Sequence, residues 1–389
     1  MTATNEVEVV VVGAGPAGLS AAIELRKRGV GRVVVLEREL VAGGIPRHTA
    51  HLGYGTRDLH RLTTGPRYAA LLTRRAEKAG VEIEVGRSVE SFADGRVTTN
   101  GSDGPAVAQA RAVLLATGVR ERPRSARLVP GDRPTGVLTT GALQQFTTLH
   151  HQRIGARAVV VGAEHVSFSA VLTLAHAGCK VAAMVTALPR HQTYPLLRFA
   201  TAGRHRVPIY TGVEIAEVIG RGQVEAVVLT DGRRVACDTV VFTGDWIPDH
   251  ELARSGGLPM LPVAKAPIVD HGWRTQQRGV FAIGNLVHPA ETADVCALDG
   301  RGVAAHVMDW LTVGEWPATV APITVATPIR WAAPSALGVT FRVEQFVTGS
   351  IVASNETGVL HQTKSKQWIP NRAYHLAGIT DCRELGFRG

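Results

Sequence analysis

VVVVGAGPAGLSAAIELRKRGVGRVVVLERE, residues 9–39, decides the fold. Val9 to Val12 is an unbroken apolar run of the kind buried in a parallel sheet. It leads straight into Gly13-Ala14-Gly15-Pro16-Ala17-Gly18, which opens an amphipathic helix ending near Gly29. Each glycine has its own reason to be there. Gly13 permits the tight turn out of the strand, Gly15 lets the backbone approach a pyrophosphate with no Cβ in the way, and Gly18 allows close helix-to-strand packing. The helix offers its first N–H groups and the positive end of its dipole to phosphates. A second strand, Arg32 to Leu36, ends in Glu37, nineteen residues beyond Gly18, where a carboxylate can accept hydrogen bonds from a ribose; Arg38 follows it.

Composition bounds the rest. With 389 residues the chain exceeds one ordinary core, so two or three domains are expected. Met1 to Glu8 carry acids and no basic region, so the apolar run behind them reads as a strand and not as a secretory signal. No run reaches the ~18–20 apolar residues of a membrane helix, and the expected location is the cytoplasm. Cys179, Cys237, Cys296 and Cys382 lie far apart with no CxxC, which argues against a redox-active disulphide, a zinc site or a four-cysteine iron–sulphur site and leaves packing as their role. The net charge of +9 comes mainly from scattered arginine. Without a basic block or interleaved aromatics it argues against nucleic acid and supports only a mild preference for anionic ligands.

Along the chain, the Gly- and His-rich segment from Val41 to Gly65 fits neither helix nor strand and leads into a helix over Pro66 to Lys78. A strand at Val81 to Val85, a meander through Ala110 and the strand Ala112 to Ala116, ending in Thr117-Gly118, follow. A second strand–turn–helix–strand repeat runs from Ala158 to Val161, through Gly162-Ala163-Glu164-His165-Val166-Ser167 and a helix over Phe168 to Ala177, to Lys180–Val185. Short strands then lead to Thr239–Asp245. Gly279 to Asn285, GVFAIGN, is another buried strand, followed by a helix over Ala293 to Leu311. Pro317 to Gly389 is rich in β-branched residues and turns. The fold expected is α/β, with two Rossmann-like dinucleotide-binding domains, the second inserted in the first, plus a small strand-rich C-terminal module. The corresponding boundaries are 1–121 with 268–314, then 122–267, then 315–389.

One βαβ unit does not separate FAD from NAD. A unit at the N-terminus followed by an independent second one is the flavoprotein arrangement. Together GAGPAG with Glu37, the strand ending Ala116-Thr117-Gly118, the turn at Gly162 and GVFAIGN resemble the two-dinucleotide-binding-domain FAD oxidoreductases, the superfamily of thioredoxin and glutathione reductases, over about Val9 to Leu311. The resemblance implies FAD held by Gly13, Gly15, Pro16, Ala17, Gly18, Glu37, Arg38, Gly44, Arg47, Thr117, Gly118, Gly284, Asn285 and Val295. Asn285 stands where the family usually has Asp and can still hydrogen-bond a ribityl hydroxyl. Gly162, Glu164 and Ser167 would meet NAD(P)H. However, Glu164 replaces the second glycine and sets a side chain against the pyrophosphate, while Ser167 is small enough for its place. No acid ends the second strand; Arg190 either accepts a 2′-phosphate or is a surface arginine.

Gly43-Gly44-Ile45-Pro46-Arg47-His48, with His51, Gly55, Arg57-Asp58-Leu59 and Thr64-Gly65-Pro66, resembles bacterial FAD oxidoreductases related to flavoprotein subunits of dehydrogenases for glycerol phosphate or for amino and imino acids, which commonly work with partner subunits. In that family this loop runs near the flavin, which makes Arg47, His48, His51 and Tyr54 candidates for contacts there and His48 and His51 the candidate catalytic groups, against a loop-structural role. No third ligand accompanies His48 and His51, so no metal is expected. Cys296 reads as packing and His165 as a helix-start residue. The resemblance implies hydride transfer at the flavin N5 with a small-molecule substrate, NAD(P)H as an open second cofactor, and no disulphide relay. Two readings stand beside it: a flavoprotein subunit that serves a partner dehydrogenase or electron-transfer subunit, and a flavin-holding scaffold without turnover.

Overall fold

The apolar run that opens the chain forms β1 (Asn5–Val12), and its alternating side chains serve two cores at once. Val9 and Val11 face one core with Val33, Val35, Ala112 and Leu114, while Val10 and Val12 face the other with Val34, Leu36, Val113 and Leu115. A sheet covered on both faces requires strands apolar at every position, which is why these read as continuous Val/Leu runs. The computed structural model describes residues 5–389. Behind β1 come α1 (Pro16–Lys27) and β2 (Val33–Glu37), paired parallel to β1 with Val12 opposite Leu36. The helix expected over Pro66 to Lys78 spans Gly65–Lys78.

β3 (Gly104–Leu115) is far longer than the apolar stretch that announced it. Its first half pairs antiparallel with Arg96–Gly101, and its last two thirds run parallel beside β1, from Ala108 opposite Asn5 to Leu115 opposite Val12. The seven-stranded sheet runs Glu82–Val85, β2, β1, β3, Arg96–Gly101, Arg87–Ala93, with the later strand of GVFAIGN also paired to β3.

By internal contacts the chain divides into two units. One takes in the chain up to Arg47, Leu52–Val119 and Ile247–Gly389; the other takes in His48–His51 and Arg120–Trp246. Within the second unit, β4 (Arg157–Val161), α2 (His165–His176), β5 (Lys180–Thr186) and β6 (Thr239–Phe242) build a parallel sheet in the order Val137–Thr139, β6, β4, β5, Ile209–Thr211. A three-stranded antiparallel sheet of Ile215–Ile219, Ala226–Leu229 and Arg234–Ala236 accompanies it. α2 starts three residues before the Phe168 expected from sequence, because Glu164 caps it and brings the 165–167 segment into the helix.

The chain rejoins the first unit at Ile247, ahead of the 268 boundary read from sequence. Thr117 Oγ1 donates to Asp249 O (2.7 Å) and Asp249 N–H donates to Gly118 O (2.9 Å), while Ala253, Leu258, Ala264 and Ala266 enter the core with Val10 and Leu115. β7 (Val280–Ala282) and α3 (Ala293–Val313) complete that unit. Residues beyond 315 form two small sheets around a core of their own that includes Phe341, Ile351 and Trp368. Trp331 and Ala333 also enter the core of the large sheet. No helix among the described residues is long and apolar enough to cross a membrane.

Candidate functional site

The glycine turn of the first unit has the shape its residues imply. Gly13 adopts φ +106°, and a Cβ there would press on Ala116 O, so the turn lies against the end of β3. A Cβ on Gly18 would collide with Gly13 O, and one on Gly300 with Ala17 O and Ala21 N; α1 therefore touches the sheet on one side and α3 on the other through bare backbone. Gly15 differs from both. A Cβ there would meet nothing within 4 Å. Gly15 is the N-cap of α1, and no side chain caps that helix, whose first turn begins with Pro16 and Ala17. The opening is therefore left for a ligand that brings its own acceptors, as a pyrophosphate does.

Glu37 ends β2 beside this opening and is buried. Its carboxylate accepts from Ala14 N–H (2.8 Å) and Glu39 N–H (2.9 Å), which fixes it in place while leaving lone pairs for ribose hydroxyls. Gly43 N–H donates to Ala14 O (2.8 Å), and a Cβ on Gly44 would come within 2.9 Å of Gly15 Cα, so the 43–47 loop lies over the same turn. Arg47 is ion-paired to Glu39 and Arg38 to Asp249 (2.7 Å). At the same carboxyl end of the sheet, a Cβ on Gly284 would press on the Ala17 Cβ, so the end of β7 meets the start of α1. Val295 is fully buried in the first turn of α3, another helix start without a side-chain cap.

Asn285 commits its carboxamide to the neighbouring loop. Nδ2 donates to Glu291 O (3.1 Å) and Oδ1 accepts from Glu291 N–H (2.6 Å). An aspartate could not make the first of these bonds, which is a physical reason for Asn here.

Asp294 belongs to no motif, yet it organises a loop. It is buried and receives Gly55 N–H (2.9 Å), Thr56 Oγ1–H (2.8 Å) and Arg57 N–H (2.9 Å), so one carboxylate fastens the 55–57 loop to α3. Asp58 accepts from the Tyr68 hydroxyl (2.8 Å); burial pushes both groups' pKa values up. His288 and Asp299, both fully buried, form a hydrogen-bonded pair. Burial alone would lower the His288 pKa, but the charge of Asp299 and its hydrogen bond reverse that and hold it above the ordinary value. His375 lies 3.6 Å from Glu291, and Arg342 donates to Ala290 O, so the C-terminal residues brace the loop after Asn285. No motif announces these pairings, and those of Asp294 span more than two hundred residues.

His48 and His51 group by contacts with the second unit, apart from Arg47 and Tyr54 in the first. His48 is buried, and its neighbour Thr49 donates to Gln144 Oε1 (3.2 Å). All four cysteines are buried and unpaired. Burial raises each thiol's pKa, to about 11 for Cys179 and Cys237, so little reactive thiolate exists at neutral pH.

In the second unit, Gly162 adopts φ +128° and leads into α2 as Gly13 leads into α1. Glu164, in the place Gly15 holds in the first turn, is the N-cap of α2. Its side chain accepts from Ser167 N–H while its own N–H donates to Ser167 Oγ (3.2 Å). Ser167 Oγ bonds Thr243 Oγ1 (2.6 Å), which donates to Val161 O (2.8 Å). His165 is the first residue of α2, and its Nδ1 bonds Thr193 Oγ1 (2.8 Å); Arg190 is exposed.

The profile of the pyridine nucleotide-disulphide oxidoreductases matches residues 7–300. The chain belongs to that family. The biphenyl dioxygenase system ferredoxin–NAD(+) reductase component of Paraburkholderia xenovorans is 29% identical over 293 residues, 72% of this chain and 67% of that one. An opine oxidase subunit of Agrobacterium tumefaciens is 26% identical over 313 residues, 72% and 61% of the two chains. The chain thus spans about two thirds of the length of these relatives. Among solved structures, T. acidophilum thioredoxin reductase aligns with a TM-score of 0.66 at 22% identity, over 78% of this chain and 98% of that one. The family's cofactors are FAD and NAD(P)H, and this member is an FAD-dependent oxidoreductase, which sets aside the scaffold reading. The residues around Gly15 and Glu37 suit the adenine dinucleotide half of FAD: an uncapped helix start, space at the glycine and a fixed carboxylate.

Proposed function

We propose that this oxidoreductase passes hydride between a small organic substrate and the flavin directly, with no thiol relay, and delivers the electrons to a partner redox protein. The observation that carries this reading is the contrast between an open, FAD-shaped turn at Gly15 and four cysteines that are buried, unpaired and held protonated. Bound FAD would supply the hydride chemistry at its N5. The chain's own residues hold it: the start of α1 takes the pyrophosphate, Glu37 the ribose, and the 43–47 loop covers the turn. Asp294, through the backbone of Gly55 and Arg57, keeps the adjoining loop from drifting. A donor that gives up a hydride and a proton loses two electrons, which leave through the partner. Two relatives support a partner, one a reductase component of a dioxygenase system and the other one of the subunits of an oxidase.

The test is alkylation of the yellow protein. Treating the native protein with iodoacetamide should leave turnover with an amino-acid or glycerol phosphate donor and a one-electron dye unchanged, because the thiols are buried. Loss of turnover on alkylation would overturn the direct route.

A further inference from the structure

Gly15 and Glu164 hold equivalent places in two turns of the same chain, and the structure makes one an opening and the other a stopper. The Glu164 carboxylate takes the Ser167 N–H that a phosphate oxygen would take in a nucleotide-binding turn. It also lies across the far wall of the crevice. A Cβ on Gly244, just beyond β6, would coincide with Glu164 Oε1. The carboxylate therefore fills the space at the carboxyl ends of β4 and β6, where a parallel sheet of this kind receives its nucleotide.

The surroundings favour its staying there. Arg127, part-buried, donates to Thr243 O (3.1 Å) and Gly244 O (2.8 Å) and feels the charges of Asp245, Glu121 and Glu164. Glu121 is buried against the same glycine, accepting Gly244 N–H (3.2 Å) and Gly141 N–H (2.9 Å). An incoming pyrophosphate would thus meet the Glu164 carboxylate and the buried Glu121, with the one guanidinium nearby, Arg127, already committed to the Thr243 and Gly244 carbonyls. Ser167 completes the arrangement. Its hydroxyl ties Glu164 N–H to Thr243, so the stopper is braced from its own backbone to the next strand.

We infer that Glu164 is a built-in anion that closes the second dinucleotide turn, so that this chain discriminates against nicotinamide dinucleotides and draws its electrons from another donor. The residues present do not fit the pyrophosphate of NAD(P)H. The inference bears on the electron source named in the proposed function and rests on that reading for its consequence, but the closure itself is a property of the second turn alone.

The experiment measures binding of NADH, NADPH and ADP-ribose to the purified holoprotein by calorimetry, with FAD content read from absorbance in the same samples and anaerobic bleaching of the flavin followed alongside. Wild type should bind none of the three below millimolar concentration and should not bleach. Glu164→Gly should bind at least one of them about tenfold to a hundredfold more tightly, the gain expected from freeing a helix start and removing a like charge. Glu164→Ser, which keeps a good helix cap without the charge, should move the same way and covers the case in which the glycine variant does not fold. Tight binding by wild type, or unchanged binding by a folded Glu164→Ser, overturns the inference. A colourless protein would overturn the flavin reading instead, while ADP-ribose binding would still decide whether the turn is closed.

Discussion

Replacing Gly15 by Glu transplants the stopper of the second turn into the first, and the structure allows its effects on folding and on cofactor binding to be worked out separately. Gly15 has φ −80° and ψ −177°, extended backbone open to any residue, and a Cβ there meets nothing within 4 Å. The fold should therefore accept the change. Loss of glycine's freedom in the unfolded chain adds about 0.4–1 kcal/mol to stability. FAD fares otherwise. A pyrophosphate excluded from the start of α1 forfeits charge-assisted hydrogen bonds worth about 1.5–3 kcal/mol each. One carboxylate about 4 Å from a phosphate charge costs about 4 kcal/mol at an effective dielectric of about 20. Two lost bonds and one repulsion sum to roughly 7–10 kcal/mol, a weakening of about 10⁵- to 10⁷-fold. The assay is the ratio of flavin to protein absorbance after purification, with the circular dichroism melt as control. A Gly15→Glu protein that melts like wild type and still carries a full complement of FAD would refute both the location of the pyrophosphate and the electrostatic argument.

Other substitutions test the packing and the polar pairs. Gly18→Val, whose Cβ collides with Gly13 O, should cost at least about 1–3 kcal/mol and lower the melting temperature even with excess FAD; an unchanged melt would contradict the close approach of α1. Asp294→Ala removes three bonds to residues 55–57, so limited proteolysis should cut near Arg57 faster than in wild type, and equal rates would show that the carboxylate does not hold the loop. The His288 pKa is held above the ordinary value of about 6.5. Its stabilising contribution is therefore fully present below that value and is lost as pH rises through the raised folded-state value. Urea titrations at pH 6 and pH 8.5 should show wild type losing more stability toward the alkaline side than Asp299→Asn does. Equal slopes would dissociate the pair from that loss.

The first turn was legible because its chemistry is local: glycines, strand and Glu37 lie within one short stretch, and each acts through its own backbone or a neighbour's. Asp294 shows where that locality ends. Its partners at 55–57 are more than two hundred residues away, and nothing in the sequence pairs a helix-start carboxylate with a distant loop. The same holds for His375 with Glu291, which meet only because the C-terminal strands fold back against the loop after Asn285, whereas His288 and Asp299, eleven residues apart, join that loop to α3 in a pairing no motif announces. Asp249 explains the early return of the chain, since its backbone pairing with Thr117 and Gly118 binds a segment that by spacing alone belonged to the second unit.

Glu164 lies between these cases. Sequence places a carboxylate in the turn and predicts a clash with phosphate, but it does not say whether the side chain swings clear or turns inward. Ser167 decides that. A glycine in its place, as at Gly18 of the first turn, would still offer an N–H to the carboxylate but would have no hydroxyl to receive Glu164 N–H or to reach Thr243. The two residues close the turn jointly, so Ser167→Gly should loosen the stopper without removing its charge. If the closure depends on bracing as well as on charge, nucleotide affinity should rise in Ser167→Gly by less than in Glu164→Ser. Equal gains in the two variants would mean that the position of the carboxylate, and not its charge, keeps the dinucleotide out.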